Sequence, residues 1–324
     1  MAVLNVALPL ASSAMSFVFV GLVLDQWWQR RRSFQLVWGI GLLFYAVSTG
    51  CEFIGSAFGW GSTVYRGWYL VGAFLVPAYL GAGTVYLLSK TRFGYFAAAS
   101  VALGGLFSLA ATSRYPGSTS AGFIVLGLAL VAAIAVAVAT AAARETQGHV
   151  AMAALALGTI AVAYLVLTAN VGGNYLDSTT HVPVAAAFPG YLRVSSIPFN
   201  AGGGLALVFG ALYSAYIYMP KRRVVEARFA LVAITINFIA SLPGAAQALV
   251  RNKLNSRVPA TLLIAVGALI PGVTSSLNRF GITWTYYLGE FVGIVLIFAG
   301  FLVSEEVFRT FRFGLGLRER RAEG

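Results

Sequence analysis

The sequence predicts an all-α fold, a polytopic bundle of membrane-spanning helices. Hydrophobic residues make up 59% of its 324 positions and the mean hydropathy is +0.82, whereas water-soluble domains hold about 45–50% apolar residues. Charged residues are only 10% and gather in short clusters between long apolar runs. Those runs approach or exceed the ~20 residues that a ~30 Å hydrocarbon core requires at 1.5 Å rise per residue.

Seven such runs precede residue 220, at about 3–25, 34–57, 65–89, 94–112, 121–143, 150–170 and 196–219. The first has no basic n-region and is long enough to cross, so it is expected to be a retained helix and not a cleaved signal. Three more runs follow at about 228–250, 258–278 and 284–305. The run at 228–250 differs from the others, carrying Asn237 and Gln247 and an interrupting Pro243-Gly244. Proline removes a backbone donor and crowds the preceding turn, so a break is expected there.

Basic flanks decide how many runs cross, because Lys and Arg resist translocation. With the N-terminus outside and 228–250 not crossing, 18 basic residues face the cytoplasm and only Arg66, Arg114, Arg193 and Arg279 lie outside. If 228–250 crosses, the division becomes 11 against 11. The expectation is therefore nine spanning helices, a broken non-spanning segment at 228–250, and a cytoplasmic C-terminus in the cell membrane. Re-entrant half-helices or a surface helix pair would both satisfy that segment, and an ordinary kinked span is the alternative.

The chain divides into a first three-helix unit (1–89), three central helices (90–170), an external loop (171–195), a second three-helix unit (196–305) with an insert at 224–257, and a basic tail (306–324). The two outer units can be laid over one another as a parallel internal repeat. Residues 11–32 align with 201–222, pairing Phe19 with Phe209, and 44–55 align with 271–282, pairing Ser48 with Ser275 and Glu52 with Arg279. Apolar helices also match by composition alone, so chance similarity stays open. The Gly- and Pro-containing loop carries Asp177, His181 and Arg193; loops of that length either act or merely connect.

The net charge of +12 sits at helix ends and not along a stripe of a folded domain, which argues against nucleic acid and for topology signals. The tail alternates aromatics with arginine, a pattern suited to anionic lipid headgroups, and the basic cytoplasmic face offers a surface for a protein partner. Trp27 and Trp28 mark an inner aromatic belt; Trp60, Tyr65, Trp68, Trp284, Tyr286 and Tyr287 mark an outer one. Clustered glycines such as Gly81, Gly83 and Gly202–Gly204 are expected to let helices pack closely.

Chemistry-bearing residues are few. Cys51 is the one cysteine, the two histidines fall on opposite faces, and Lys90, Lys221 and Lys253 are in cytoplasmic loops. No metal cluster, bis-histidine haem, Schiff-base lysine or other cofactor is expected, and no catalytic motif argues for an enzyme. Glu52 and Glu290 stand out, because a charge in hydrocarbon costs at least about 2.5–3.5 kcal/mol and needs a partner. Arg66 and Arg279 are the expected partners, so that Glu52, Arg66, Arg279 and Glu290 form an outer polar site. It would serve either as a structural ion pair or as a site for protons or substrate.

Residues 31–88 carry a basic turn at Arg31, a helix with Tyr45 that ends near Glu52, and a helix opening Arg66-x-x-Tyr69. This helix pair resembles the seven-helix membrane sensor regions of bacterial histidine kinases. The resemblance implies a sensor-like helix bundle, although no kinase or cyclase output region follows in this sequence. A non-enzymatic membrane module, sensor or anchor subunit, is the expected function; a secondary transporter with its site at the repeat interface is the alternative.

Overall fold

The computed structural model describes residues 2–225, 230–251 and 253–304. The basic tail predicted at 306–324, and with it the headgroup-binding pattern, lies outside the described residues.

Among the described residues ten helices are long and apolar enough to cross a membrane. The first two are α1 (Ala2–Arg30) and α2 (Ser33–Phe58). The third span, Ser62–Leu87, runs through α3 (Ser62–Trp68), a π-helical stretch (Tyr69–Leu75) and α4 (Val76–Leu87). Next come α5 (Phe93–Ala111), α6 (Thr119–Ala142) and α7 (Gln147–Thr168). The seventh span, Gly190–Tyr218, combines α8 (Gly190–Ile197), a second π stretch (Pro198–Gly202) and α9 (Gly203–Tyr218). The series ends with α10 (Ala230–Val250), α11 (Arg257–Arg279) and α12 (Tyr286–Val303).

Two expectations need correction. The 228–250 segment is not broken: α10 continues through Pro243, and Ala233–Val250 meets the length and apolarity of a span. Pro243 and Gly244 are both exposed, so the proline ring displaces no packed neighbour. Asn237 also has a structural explanation. Its Oδ1 accepts the backbone N–H groups of Val224 and Val225 at 2.8 and 3.1 Å, and its Nδ2 donates to the Val225 carbonyl. The seventh span, in turn, begins at Gly190 and not at 196. Arg193, Ser195 and Ser196 give its first turns a loop-like composition, yet Pro189 starts the helix as an extended cap.

The chain forms two compact units. Among the described residues, those up to Gly210 together with Gly267–Val295 form the first, and those within Ala211–Val266 and from Leu296 to 304 form the second. Within the first unit, α8 bonds to α5 through Ser108 Oγ and the Val194 carbonyl (2.8 Å), and α12 meets α2 through the Tyr45 hydroxyl and the Glu290 carbonyl (2.8 Å). Sequence-distant helices thus interleave.

In that unit Gly81 and Gly203 bring two spans together, since a Cβ on Gly81 would stand 2.5 Å from the Gly203 carbonyl oxygen. This is the close approach that small residues permit between helices in lipid. The outward face of α7 exposes Leu157 (71%), Ile160 (69%), Tyr164 and Leu167, an i, i+3, i+7, i+10 stripe suited to acyl chains. The second unit has a smaller core of Ala215, Met219, Ala245 and Val258.

Candidate functional site: a polar cleft beside a buried carboxyl pair

Near the end of α2, Glu52 is fully buried in the first unit. Its Oε1 accepts from Trp68 Nε1 at 2.7 Å and from the Tyr286 hydroxyl at 2.9 Å. Glu290, 8% exposed on α12, lies beside it. Glu52 Oε2 and Glu290 Oε2 have no N–H or O–H donor among the described residues. Two carboxyl groups buried side by side without an intervening cation cannot both be ionised, so the pair carries at most one negative charge. Around them stand Tyr45, Trp68, Tyr286 and Tyr287, the last bonded to Ser56 Oγ at 3.2 Å.

The expected ion pairs do not form. Arg66 instead closes the C-terminus of α7: Nη1 donates to the carbonyls of Val166 (2.6 Å) and Leu167 (3.0 Å), Nη2 to that of Ala169 (2.7 Å), and Nε to Ser62 Oγ (3.1 Å). The last carbonyls of a helix lack intrahelical donors and carry partial negative charge, so a guanidinium is a well-matched partner. The Arg279 guanidinium donates to Ser196 Oγ at 3.2 Å, a hydroxyl that also receives the Tyr69 hydroxyl at 3.4 Å. Both arginines therefore find neutral oxygen acceptors, which Coulombic pairing by composition could not reveal.

The external loop is ordered. Leu176 and Pro183 bridge across a hairpin in which Asp177 Oδ1 accepts the backbone N–H groups of Thr179 (3.1 Å) and Thr180 (2.8 Å) and the Thr180 hydroxyl (2.8 Å). Those donors, the Thr180 backbone N–H first, hold the Asp177 carboxyl below the usual aspartate range. His181 is exposed and adopts φ +55°, a turn position in which its backbone N–H donates to the Asp177 carbonyl. Tyr175 and Phe188 clamp the loop onto Tyr65, with ring centroids 4.6 and 4.9 Å away, and the Tyr65 hydroxyl donates to the Val184 carbonyl.

Beneath this loop the first unit holds a cleft of about 280 Å³. Arg193, Arg279 and Glu290 line it, along with Asn200, Asn278 and the rings of Trp68, Tyr69, Tyr115 and Tyr286; Val184 and Ala185 form the loop side. Arg193 stacks over Tyr115 with its guanidinium carbon 4.2 Å from the ring centre. Gly72 and Asn200 lie in the two π stretches, each about ten residues into its span, or roughly 15 Å deep. π-helical turns widen a helix locally and recur at functional sites.

Of the residues singled out in the sequence, the cleft collects Arg193, Arg279 and Glu290, with Glu52 directly behind Glu290. It leaves out Arg66, Asp177 and His181. Sequence reasoning missed Asn200, Asn278, Tyr115 and Ser196; the signals were an asparagine two residues after Pro198 in an apolar run and Asn278 beside Arg279. A second, larger groove of about 650 Å³ between α6 and α7 is walled by Val131, Ile134, Val138 and Val150 and lined by no charged side chain. Among the described residues no group of three His, Cys, Asp or Glu side chains could hold a metal ion. Comparison with protein families, with characterised proteins and with solved structures finds no match, so the chemistry of this cleft is read from its own residues.

Proposed function

We propose that this chain is a non-enzymatic, sensor-like module of the cell membrane that recognises a small polar molecule reaching it from outside. The observation that carries the reading is the convergence of Arg193, Arg279 and Glu290 on one aromatic-walled cleft. A concave site with mostly apolar walls and a few convergent polar groups is the usual form of a small-molecule pocket. The likeness of residues 31–88 to sensor regions supports the same reading, because Tyr45, Glu52 and Tyr69 belong to the cleft and its carboxyl pair.

Orientation follows from charge. Arg31, Arg32, Lys90, Arg92 and Arg144 are exposed at the end of the first unit away from the cleft, as residues that hold a loop in the cytoplasm would be. The N-terminus then lies outside, with the loop and the cleft. Counted with α10 not crossing, the 18-to-4 division supports a cytoplasmic C-terminus, with the basic surface offered to anionic lipid and to a cytoplasmic partner. A C-terminal reporter active only outside the cytoplasm would overturn that placement.

Secondary transport is the second reading, favoured by the depth to which the cleft follows the π stretches. Binding is tested by screening small metabolites for thermal stabilisation of the purified protein, with Arg279→Gln as the control that should abolish any shift. Uptake into proteoliposomes separates the readings: accumulation of a bound compound would replace sensing with transport.

A further inference from the structure

Given that the cleft binds a small molecule, we infer that its ligand is a zwitterion of amino-acid type, with an ammonium group held at Glu290 and a carboxylate held at Arg279 and Arg193. The argument rests on what each wall of the cleft lacks. Glu290 is more than nine-tenths buried, lines the cleft, and has no cationic partner among the described residues. Its Oε2 is buried with no hydrogen-bond partner among those residues, so an acceptor at the cleft stands open for a donor. Asn278 supplies a second acceptor: its Nδ2 donates to the Pro183 carbonyl at 3.1 Å, while its buried Oδ1 has no donor. Trp68 and Tyr286, which face Glu52, add electron-rich rings of the kind that attract ammonium groups.

The opposite chemistry stands in the same cleft. Arg279 spends one hydrogen bond on Ser196 Oγ, and Arg193 rests on the Tyr115 ring; neither guanidinium has a carboxylate partner among the described residues. A guanidinium presents several N–H donors in a fixed plane that matches a carboxylate. Acceptors without donors and donors without an anion, in a space of about 280 Å³, call for a compact molecule bearing both charges. A ligand with only an anionic group would leave the Glu290 and Asn278 oxygens without a donor, and a simple amine would leave the arginines unused.

The test uses the full-length protein in nanodiscs and three probe sets built on the same carbon skeletons: α-amino acids, the matching carboxylic acids without the amine, and the matching amines without the carboxylate. Binding is read by tryptophan fluorescence, since Trp68 lines the cleft, and by thermal shift. Amino acids should bind at least about tenfold more tightly than either single-charge series. Glu290→Gln should bring amino acids down to the level of the acids, and Arg279→Gln to the level of the amines. Equal binding by acids or by amines overturns the zwitterion while leaving the cleft as a binding site. Failure of all three sets to bind overturns the zwitterion, and a blank metabolite screen would remove the binding function itself. Should Glu290→Gln fail to fold, the ranking of the three sets on the unaltered protein decides the question.

Discussion

The two ends of the first unit contain the same residue type in opposite circumstances. At the end bearing the loop, Arg66, Arg193 and Arg279 are half-buried and engaged by helix carbonyls, an aromatic ring and a serine, while Arg114 lies over Phe280. At the other end Arg32, Lys90, Arg92 and Arg144 are exposed, and Arg31 rests on the Trp27 and Trp28 rings. A count of charges treats both sets alike. Their surroundings separate arginines that build the protein from those that orient it, and this sharpens the charge argument, because the loop-end set is occupied within the fold.

The largest expected effect tests the buried carboxyl behind the cleft. Glu52→Ala removes the acceptor shared by Trp68 and Tyr286 and opens a cavity, and should cost about 3–4 kcal/mol of stability, read as a loss of folded protein on heating in detergent. Glu52→Gln keeps an acceptor oxygen for Trp68 and Tyr286 and adds no charge beside Glu290, so its cost should stay under about 1 kcal/mol. A large loss with Gln would mean that an ionised Glu52 is needed, and a neutral acceptor would not account for its role. This departs from the expectation drawn from an ion pair, in which Gln would destabilise until a matching arginine was also replaced.

Arg66→Gln comes next. Leaving three carbonyls at the end of α7 without their charged donor should cost about 2–3 kcal/mol, and Arg66→Lys should recover only part of it, since an ammonium cannot reproduce the planar fork. A neutral effect would place Arg66 with the exposed arginines and erase the contrast between the ends.

A smaller and local effect belongs to Asp177. Its carboxyl titrates below the ordinary aspartate range, so the folded loop gains stability above the unfolded value, near pH 3.9, and loses it as pH falls through the lower folded value. The exchange protection of the Thr179 and Thr180 amides, taken relative to their intrinsic rates at each pH, should fall in that acid window. Asp177→Asn, which keeps the acceptor oxygen, should remove the pH dependence.

The smallest effect completes the comparison. Arg92→Gln should change stability by less than about 0.5 kcal/mol, as exposed substitutions usually do, and alter only the fraction of chains inserted in the correct orientation. A glycosylation or cysteine-accessibility reporter measures that fraction. A loss of stability comparable to Arg66→Gln would show that the basic end is structural after all.

Much of the fold was legible before any coordinates. Runs of about 20 apolar residues need internally satisfied backbone in lipid and therefore form helices, whatever their neighbours are. The exceptions have local causes. The start of α8 looked like loop because Arg193, Ser195 and Ser196 break the apolar pattern, while Ser195 and Ser196 return their hydroxyls to the carbonyls of Tyr191 and Arg193. Pro243 looked like a break because proline cost is real in water, yet an exposed proline in an apolar helix is accommodated.

By itself, then, the sequence determined the class, the helices and the rarity of charge within them, because hydrophobic burial and backbone satisfaction depend on composition and length. It also marked Glu52 and Glu290 as costly residues that require partners. Only the tertiary structure decided who those partners are. Pairing depends on which helix faces meet, and α12 reaches α2 across more than 200 residues of chain to set Tyr286 and Glu290 against Glu52. Arg66 was drawn instead to the end of α7, where three carbonyl oxygens in fixed array outcompete a more distant carboxylate.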